Sequence, residues 1–203
     1  MLERVRIVLP EAGALDPAAL FPTPPREIWL EIGFGSGEHM AELAATHPDV
    51  GFIGCEPFVN GVSAALGEIA RRGLANVRIL DDDARPLLER LPDGALERVY
   101  LLFPDPWPKK RHHRRRFLDA GNLRLIARLL RPGGLLQVAT DHMECGRWML
   151  ANALREPALD WLAERAADWK ERPPGEPATR YEGKALGRGS PCHYFRFRRK
   201  PGA

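Results

Sequence analysis

Residues 26–40 read REIWLEIGFGSGEHM, and the fold turns on this stretch. An apolar, β-prone run over residues 27–32 stops at a turn holding Gly33, Gly35 and Gly37, and a helix is expected over residues 36–47. Glycines at such a junction let the backbone turn sharply and approach a ligand with no Cβ in the way. The alternation continues downstream. Strands are expected at residues 51–55, 76–80, 97–103 and 134–140, and helices at 58–73, 84–91, 114–131 and 142–155. Asn76, Pro92-Asp93-Gly94 and Pro132-Gly133-Gly134 punctuate the series. Five β–α repeats predict an α/β fold, a doubly wound parallel sheet with helices on both faces. Such strands read as continuous apolar runs, as Val99 to Phe103 (VYLLF) do. A ligand is then expected at the C-terminal ends of the strands. Outside the repeats, residues 1–26 are Pro-rich and expected to form an irregular arm. Residues 159–174 lack a regular pattern, 179–189 suit a loop with a short helix, and 192–198 (CHYFRFR) alternate like a half-buried strand. With no internal repeat or clear linker, residues 1–203 read as one domain.

Composition narrows the class. The chain has 203 residues, 44% hydrophobic and 28% charged, the balance of an ordinary soluble globular protein. Its 19 glycines and 19 prolines are scattered, which excludes collagen-like or low-complexity structure. No apolar run approaches the roughly 20 residues of a membrane span. The start, MLERVRIVLPEAG, lacks the apolar stretch of a signal peptide. Cys55, Cys145 and Cys192 lie far apart with no CxxC pair, which argues against a disulfide framework or a zinc site. The expected setting is a reducing cytoplasm, with no membrane, no metal, and no obligatory protein partner beyond a monomer or homodimer.

The formal net charge of +3 is unevenly spread. Lys109 to Arg116 (KKRHHRRR) carries six positive charges, which leaves −3 for the rest of the chain. A block of like charges repels itself and marks an anionic partner, nucleic acid above all, unless it is only a solvated helix face. This block precedes the helical pattern Phe117, Leu118, Asn122, Leu125, Ile126, Leu129. Cations at a helix N-terminus oppose the macrodipole, which favours the anionic partner. Lys110, Arg111, Arg114, Arg115 and Arg116 are therefore the expected phosphate contacts.

The glycine turn constrains the cofactor. Its spacing is GxGxG followed by Glu38, so the third glycine of the dinucleotide fingerprint GxGxxG is missing. A carboxylate there would also repel a pyrophosphate. Glu31 at the first strand end suits a cationic ligand. Glu56 closes the second strand, where a carboxylate accepts the ribose hydroxyls of an adenosine. Asp81-Asp82-Asp83 follows the third strand, within reach of an adenine amino group. Each acid alone also suits a cap or a loop. Their joint placement at successive strand ends, with no lysine in the turn and no Walker motif, describes a site for S-adenosylmethionine: a sulfonium, an ammonium and no phosphate.

After the fourth strand comes Phe103-Pro104-Asp105-Pro106-Trp107-Pro108, running into the basic block. Alternating prolines hold a loop extended and reduce the entropy lost on fixing it. Trp107 suits stacking on a base, or packing within the loop. Asp105 suits a role beside a sulfonium, or a plain turn. With LLFPDPWPKKRHHRRRF, EIGFGSGEH, GCEP, DDDA, LLRPGG, ATDH and TRYEGKA in this order, the chain resembles the tRNA (guanine-N7)-methyltransferase family over about residues 27–198. The resemblance implies a Rossmann-like class I methyltransferase fold, mostly parallel, with an antiparallel last strand matching CHYFRFR. It implies methyl transfer from S-adenosylmethionine to N7 of the variable-loop guanine of tRNA. Carried onto this chain, it places cofactor contacts at Glu31, Glu56, Asp83 and Asp105, with Gly33 and Gly35 in the turn, and makes Asp105 catalytic. Substrate contacts fall on Lys109, Asp141, Thr179, Arg180, Tyr181 and Glu182. Thr179 and Glu182 also read as a helix capping box, and the two readings are compatible. The first arm departs from the long basic extension of some members.

The implied chemistry needs no general base, because guanine N7 carries an in-plane lone pair and no proton. Positioning is the main requirement, and carboxylates such as Asp105, Asp141 or Glu182 suit the N1–H and N2–H₂ edge of guanine. Rival readings are a same-fold methyltransferase acting on another RNA base or on protein, a nicotinamide-dependent oxidoreductase, and a non-catalytic RNA-binding module. The FPDPWPKKRHHRRR string weighs against the first, the glycine spacing against the second, and the intact strand-end acids against the third.

Overall fold

Seven segments rich in β-branched, leucine and aromatic residues pair into a single sheet in the computed structural model, which describes residues 2–202. They are β1 (Glu27–Ile32), β2 (Val50–Cys55), β3 (Val77–Leu80), β4 (Leu96–Leu102), β5 (Leu130–Thr140), β6 (Leu159–Trp161) and β7 (His193–Arg199). The sheet order is β3-β2-β1-β4-β5-β7-β6. The first five strands are parallel, whereas β7 runs antiparallel to both β5 and β6. The central strands follow the expected boundaries within one residue, apart from β5.

Between the strands lie α2 (Glu38–Thr46), α3 (Val59–Arg72), α4 (Arg85–Arg90), α5 (Ala120–Leu129) and α6 (Met143–Ala153), after a short α1 (Leu2–Val5). Successive strand side chains alternate between faces. Thus Leu30 and Ile32 join the core with residues of α4, α5 and α6, while Trp29 joins the core with residues of α2 and α3. Complete burial of a leucine such as Leu30 stabilises the fold by roughly 1.5–3 kcal/mol.

Four expectations need revision. The helix expected from residue 114 starts at Ala120, because the Asp119 side chain accepts the Asn122 amide and caps it there. The basic block instead forms its own 3-10 turn, Lys110–Arg115, ahead of the cap. The macrodipole of α5 therefore does not oppose those cations. Second, β5 begins at Leu130 rather than at residue 134. Leu130 pairs with Leu96, and Arg131-Pro132-Gly133-Gly134 is absorbed as an irregularity before the register resumes at Arg98 and Leu135.

Third, the stretch without pattern holds the three-residue edge strand β6 and a single turn, α7 (Ala167–Lys170). Fourth, residues of the first arm are docked on the sheet. Val5 and Ile7 are buried, Ile7 donates its amide to the Ile79 carbonyl at 2.7 Å, and Arg6 forms a parallel bridge with Ile79. The last helix, α8 (Arg180–Gly187), carries the full capping box of Thr179 and Glu182. Strand order reverses between β1 and β4, and at such a switch point the crevice at the strand C-termini is open for a ligand.

Candidate active site

A cleft of about 330 Å³ occupies that crevice, within the range of small-molecule sites. Its floor is the glycine turn, where Gly33, Gly35 and Gly37 all have positive φ (71°, 57° and 78°). The turn packs so tightly on α3 that a Cβ at Gly61 would stand 2.5 Å from the Gly35 carbonyl oxygen. Glu56 fixes the same turn from the side. Its Oε2 accepts the Gly35 amide at 2.8 Å and its Oε1 accepts the Phe58 amide at 3.1 Å. A carboxylate offers about four acceptor positions, so two remain for a ligand.

The acids after β3 divide their roles. Asp81 pairs with Arg6 of the arm at 2.8 Å, whereas Asp82 and Asp83 line the cleft. Asp83 accepts the Arg85 amide at 2.8 Å and pairs with the Arg85 guanidinium at 2.6 Å. That guanidinium in turn lies over the Phe117 ring, 4.8 Å from its centre.

Asp105 lines the cleft on the loop after β4 and is exposed. The loop is bracketed by two non-glycine residues of positive φ, Phe103 (51°) and Trp107 (42°). Each such backbone costs on the order of 1–3 kcal/mol and persists only where its surroundings fix it. At Phe103 the amide donates to the Ala139 carbonyl at 2.7 Å, and at the Trp107 end the brace is Arg116. This side chain is 2% exposed and donates to the Pro106 carbonyl (2.9 Å), the Trp107 carbonyl (3.3 Å) and Glu144 (2.9 Å), with the Trp148 ring beneath it. The expectation that Arg116 contacts phosphate is therefore corrected: its donors are turned inward and hold the loop. The Arg116 hydrogen bond draws the Glu144 carboxyl below its ordinary range. The other cations of the block, Lys109, Lys110, Arg111, Arg114 and Arg115, are exposed. Arg115 also lies over the Trp107 ring at 4.7 Å, and the His112 ring meets Trp107 edge-on.

The remaining expected residues are distributed around the cleft. Tyr181 reaches it from α8 and covers Gly35, where a Cβ would stand 3.3 Å from the ring. Arg180 and Asp141 are exposed outside the lining. Glu182 is buried and points into the fold, accepting from the Tyr194 hydroxyl and the Thr179 amide and pairing with Arg172. Thr179 and Glu182 line a neighbouring cavity of about 30 Å³, the size of one water molecule.

Glu31 does not reach the cleft lining either, because residue 31 faces the α2 side of the sheet. There His39 Nδ1–H donates to Glu31 Oε2 at 2.8 Å, and His39 Nε2 stands 3.7 Å from Glu176. Glu176 also accepts from Gln137 (2.8 Å) and Arg98 (3.3 Å). Burial works against a charge on His39, but Glu31 and Glu176 outweigh it and raise the imidazole to about 9. Burial likewise opposes ionisation of Glu176, and His39 and Gln137 reverse that and lower it. This buried carboxylate–imidazolium–carboxylate series joins β1, α2 and the segment before α8. Sequence reasoning missed His39 and Glu176, whose only local signals were a histidine after a glycine turn and an acid among prolines. Arg85, Phe58 and Phe117 of the cleft were missed as well.

The switch-point cleft, its glycine turn with Glu56 behind it, and the antiparallel β7 define a Rossmann-like fold of the class I methyltransferase type. The aminoglycoside resistance methyltransferase NpmB1 shares this fold, with a TM-score of 0.55 at 21% identity over 86% of this chain and 88% of that one. A family model described as "Putative methyltransferase" matches residues 25–194. The tRNA (guanine-N(7)-)-methyltransferase of Rhodospirillum rubrum is 50% identical over 96% of this chain and 76% of its own length. That of Rhizobium meliloti is 45% identical over 98% and 86%. The chain belongs to the tRNA (guanine-N7)-methyltransferase family.

Proposed function

We propose that this chain, acting as one domain, transfers a methyl group from S-adenosylmethionine to N7 of the variable-loop guanine of tRNA. The observation that carries this reading is the convergence of Glu56, Asp83, Asp105 and Trp107 on one cleft beside five exposed cations. The cleft suits the cofactor by charge. Its acids lie at strand ends, its two arginines are engaged with Asp83 and Trp107, and among the described residues no lysine lines it. Family membership and the name shared by the relatives give the reaction and the RNA class.

When bound, S-adenosylmethionine supplies an electrophilic methyl group on a sulfonium. Glu56 has two acceptor positions left to take ribose hydroxyls. Asp83, which lines the same cleft, takes the adenine amino group with the acceptor capacity that Arg85 leaves. Asp105, on its braced loop, accepts from the guanine N1–H and N2–H₂ edge or offsets positive charge developing on the base. Adenine would leave such acceptors unpaired, which sets the discrimination. Trp107 offers a face for stacking, and Tyr181 closes the cleft over Gly35. Glu182 is committed to its internal partners, so its role is to place α8. Lys109, Lys110, Arg111, Arg114 and Arg115 take phosphates, and affinity falls as salt rises. A base inside folded tRNA is turned outward first.

The test is transfer of labelled methyl to two unmodified tRNA transcripts, one with guanine and one with adenine at the variable-loop position, mapped by cleavage at N7-methylguanine. Incorporation confined to the guanine transcript, at that base, is the expected result. Cofactor binding without transfer to either would move the substrate to another RNA base or a protein.

A further inference from the structure

Beyond the basic block, a second exposed cationic element meets the same cleft. On α8 and the residue that follows it, Arg180, Lys184 and Arg188 recur every fourth position and are all exposed. Four residues of helix advance about 6 Å, close to the separation of neighbouring phosphates along an RNA strand. Among the described residues, none of the three pairs with a carboxylate, and Lys184 lies over the Tyr181 ring at 5.2 Å. The only acid of α8, Glu182, is buried on the opposite side of the helix with Ala185. The charge on the exposed residues of α8 is thus positive only, set beside the exposed Tyr181 and Leu186. The helix is also anchored rather than loose, since the capping box and the Glu182–Tyr194 and Glu182–Arg172 contacts hold α8 to β7 and to the preceding segment.

Tyr181 on α8 and Arg115 on the basic 3-10 turn line one cleft, so the two cationic elements flank a common mouth. We propose that the outward side of α8, through Lys184 and Arg188 in addition to Arg180, binds the phosphate backbone of the RNA whose base enters the cleft. The inference rests on the tRNA reading above. It goes further by assigning a second backbone-binding surface, which grips the strand separately from the basic block.

Filter binding of unmodified tRNA across about 50–200 mM salt tests it with the Lys184→Glu/Arg188→Glu double variant. Each lost phosphate contact lowers the slope of log affinity against log salt by about 0.7–0.9, so a drop of about 1.4–1.8 is expected. Affinity at low salt should fall at least tenfold, and the rise in KM for tRNA should exceed any fall in kcat. Arg155→Glu, an exposed cation beyond the far end of α6, lowers the net charge by two, as a neutral Gln double variant does, and is the charge-matched control for it. Lys184→Gln/Arg188→Gln, checked by thermal unfolding, removes the charges without reversal and should show the same slope change. A Gln double variant whose slope and affinity match the Arg155 control would overturn the inference while leaving the tRNA reading intact. Wild-type protein that neither binds nor methylates tRNA would overturn that reading, and this surface with it.

Discussion

Arg116→Met separates the inward member of the basic block from its exposed neighbours. The substitution keeps an apolar stem over Trp148 and removes the guanidinium that serves the Pro106 and Trp107 carbonyls. Each carbonyl left without a donor costs about 1–3 kcal/mol. Glu144 is 54% exposed and rehydrates, so its loss adds little. A net destabilisation of about 3 kcal/mol follows, which lowers the thermal midpoint of a 203-residue protein by roughly 6–12 °C. The left-handed backbone at Trp107 then relaxes and Asp105 loses its position. Displacement on the scale of 1 Å is enough for about a hundredfold loss in rate. Thermal unfolding, single-turnover methyl transfer and the salt slope of tRNA binding are measured together. The expected pattern is a lower midpoint, a large rate loss and an unchanged slope. A reduced slope with normal stability and turnover would refute the reasoning and return Arg116 to the RNA surface.

Asp105→Ala should abolish methyl transfer while tRNA affinity stays within about threefold, and retained turnover would sink its assigned role. Glu substitutions at Lys110, Arg111 and Arg114 should lower the salt slope by about 2–3 without altering the thermal midpoint, since these side chains are exposed. The His39 imidazole, raised from 6.5 to about 9 in the folded state, contributes roughly 3 kcal/mol that is fully present below pH 6.5 and lost as pH climbs through about 9. Denaturant titrations of wild type and His39→Gln from pH 6 to 10 should therefore converge at the alkaline end; parallel curves would show that His39 is uncharged. Cys55, Cys145 and Cys192 are buried, and burial raises each thiol, so all three should resist thiol reagents until the protein unfolds.

The sheet was readable because its strands are short apolar runs beside glycine and proline punctuation, and both signals are local. The cleft acids Glu56 and Asp105 were readable for the same reason, being the first carboxylates after apolar strands, whereas Asp83, third in a run of three, was singled out only by the family motif. Arg116 was not, because its neighbours in sequence are exposed cations and its burial depends on Trp148 and Glu144, about thirty positions away. Glu31 and Glu182 look alike as acids in motifs, but strand alternation turns one beneath the sheet and the helix turns the other inward. Glu176 contacts His39 across most of the chain, a distance no periodicity encodes. The start of α5 was misplaced because Phe117 and Leu118 fit its apolar spacing, while the cap at Asp119 decides where it begins.

The docked arm has a consequence for solubility. An unpaired outer strand is a template on which another chain can add, and proteins suppress this by covering or shortening their edges. Here one margin of the sheet, β3, is shielded where Arg6 and Ile7 lie along Ile79 with the Arg6–Asp81 pair beside them. The other margin, β6, is only three residues long. Removing residues 1–8 would bare the Val77–Leu80 edge along with the Val5 and Ile7 contacts, and such a truncation should self-associate at concentrations where the full chain stays dispersed. The arm thus guards against aggregation as well as tethering the acidic turn at the cleft.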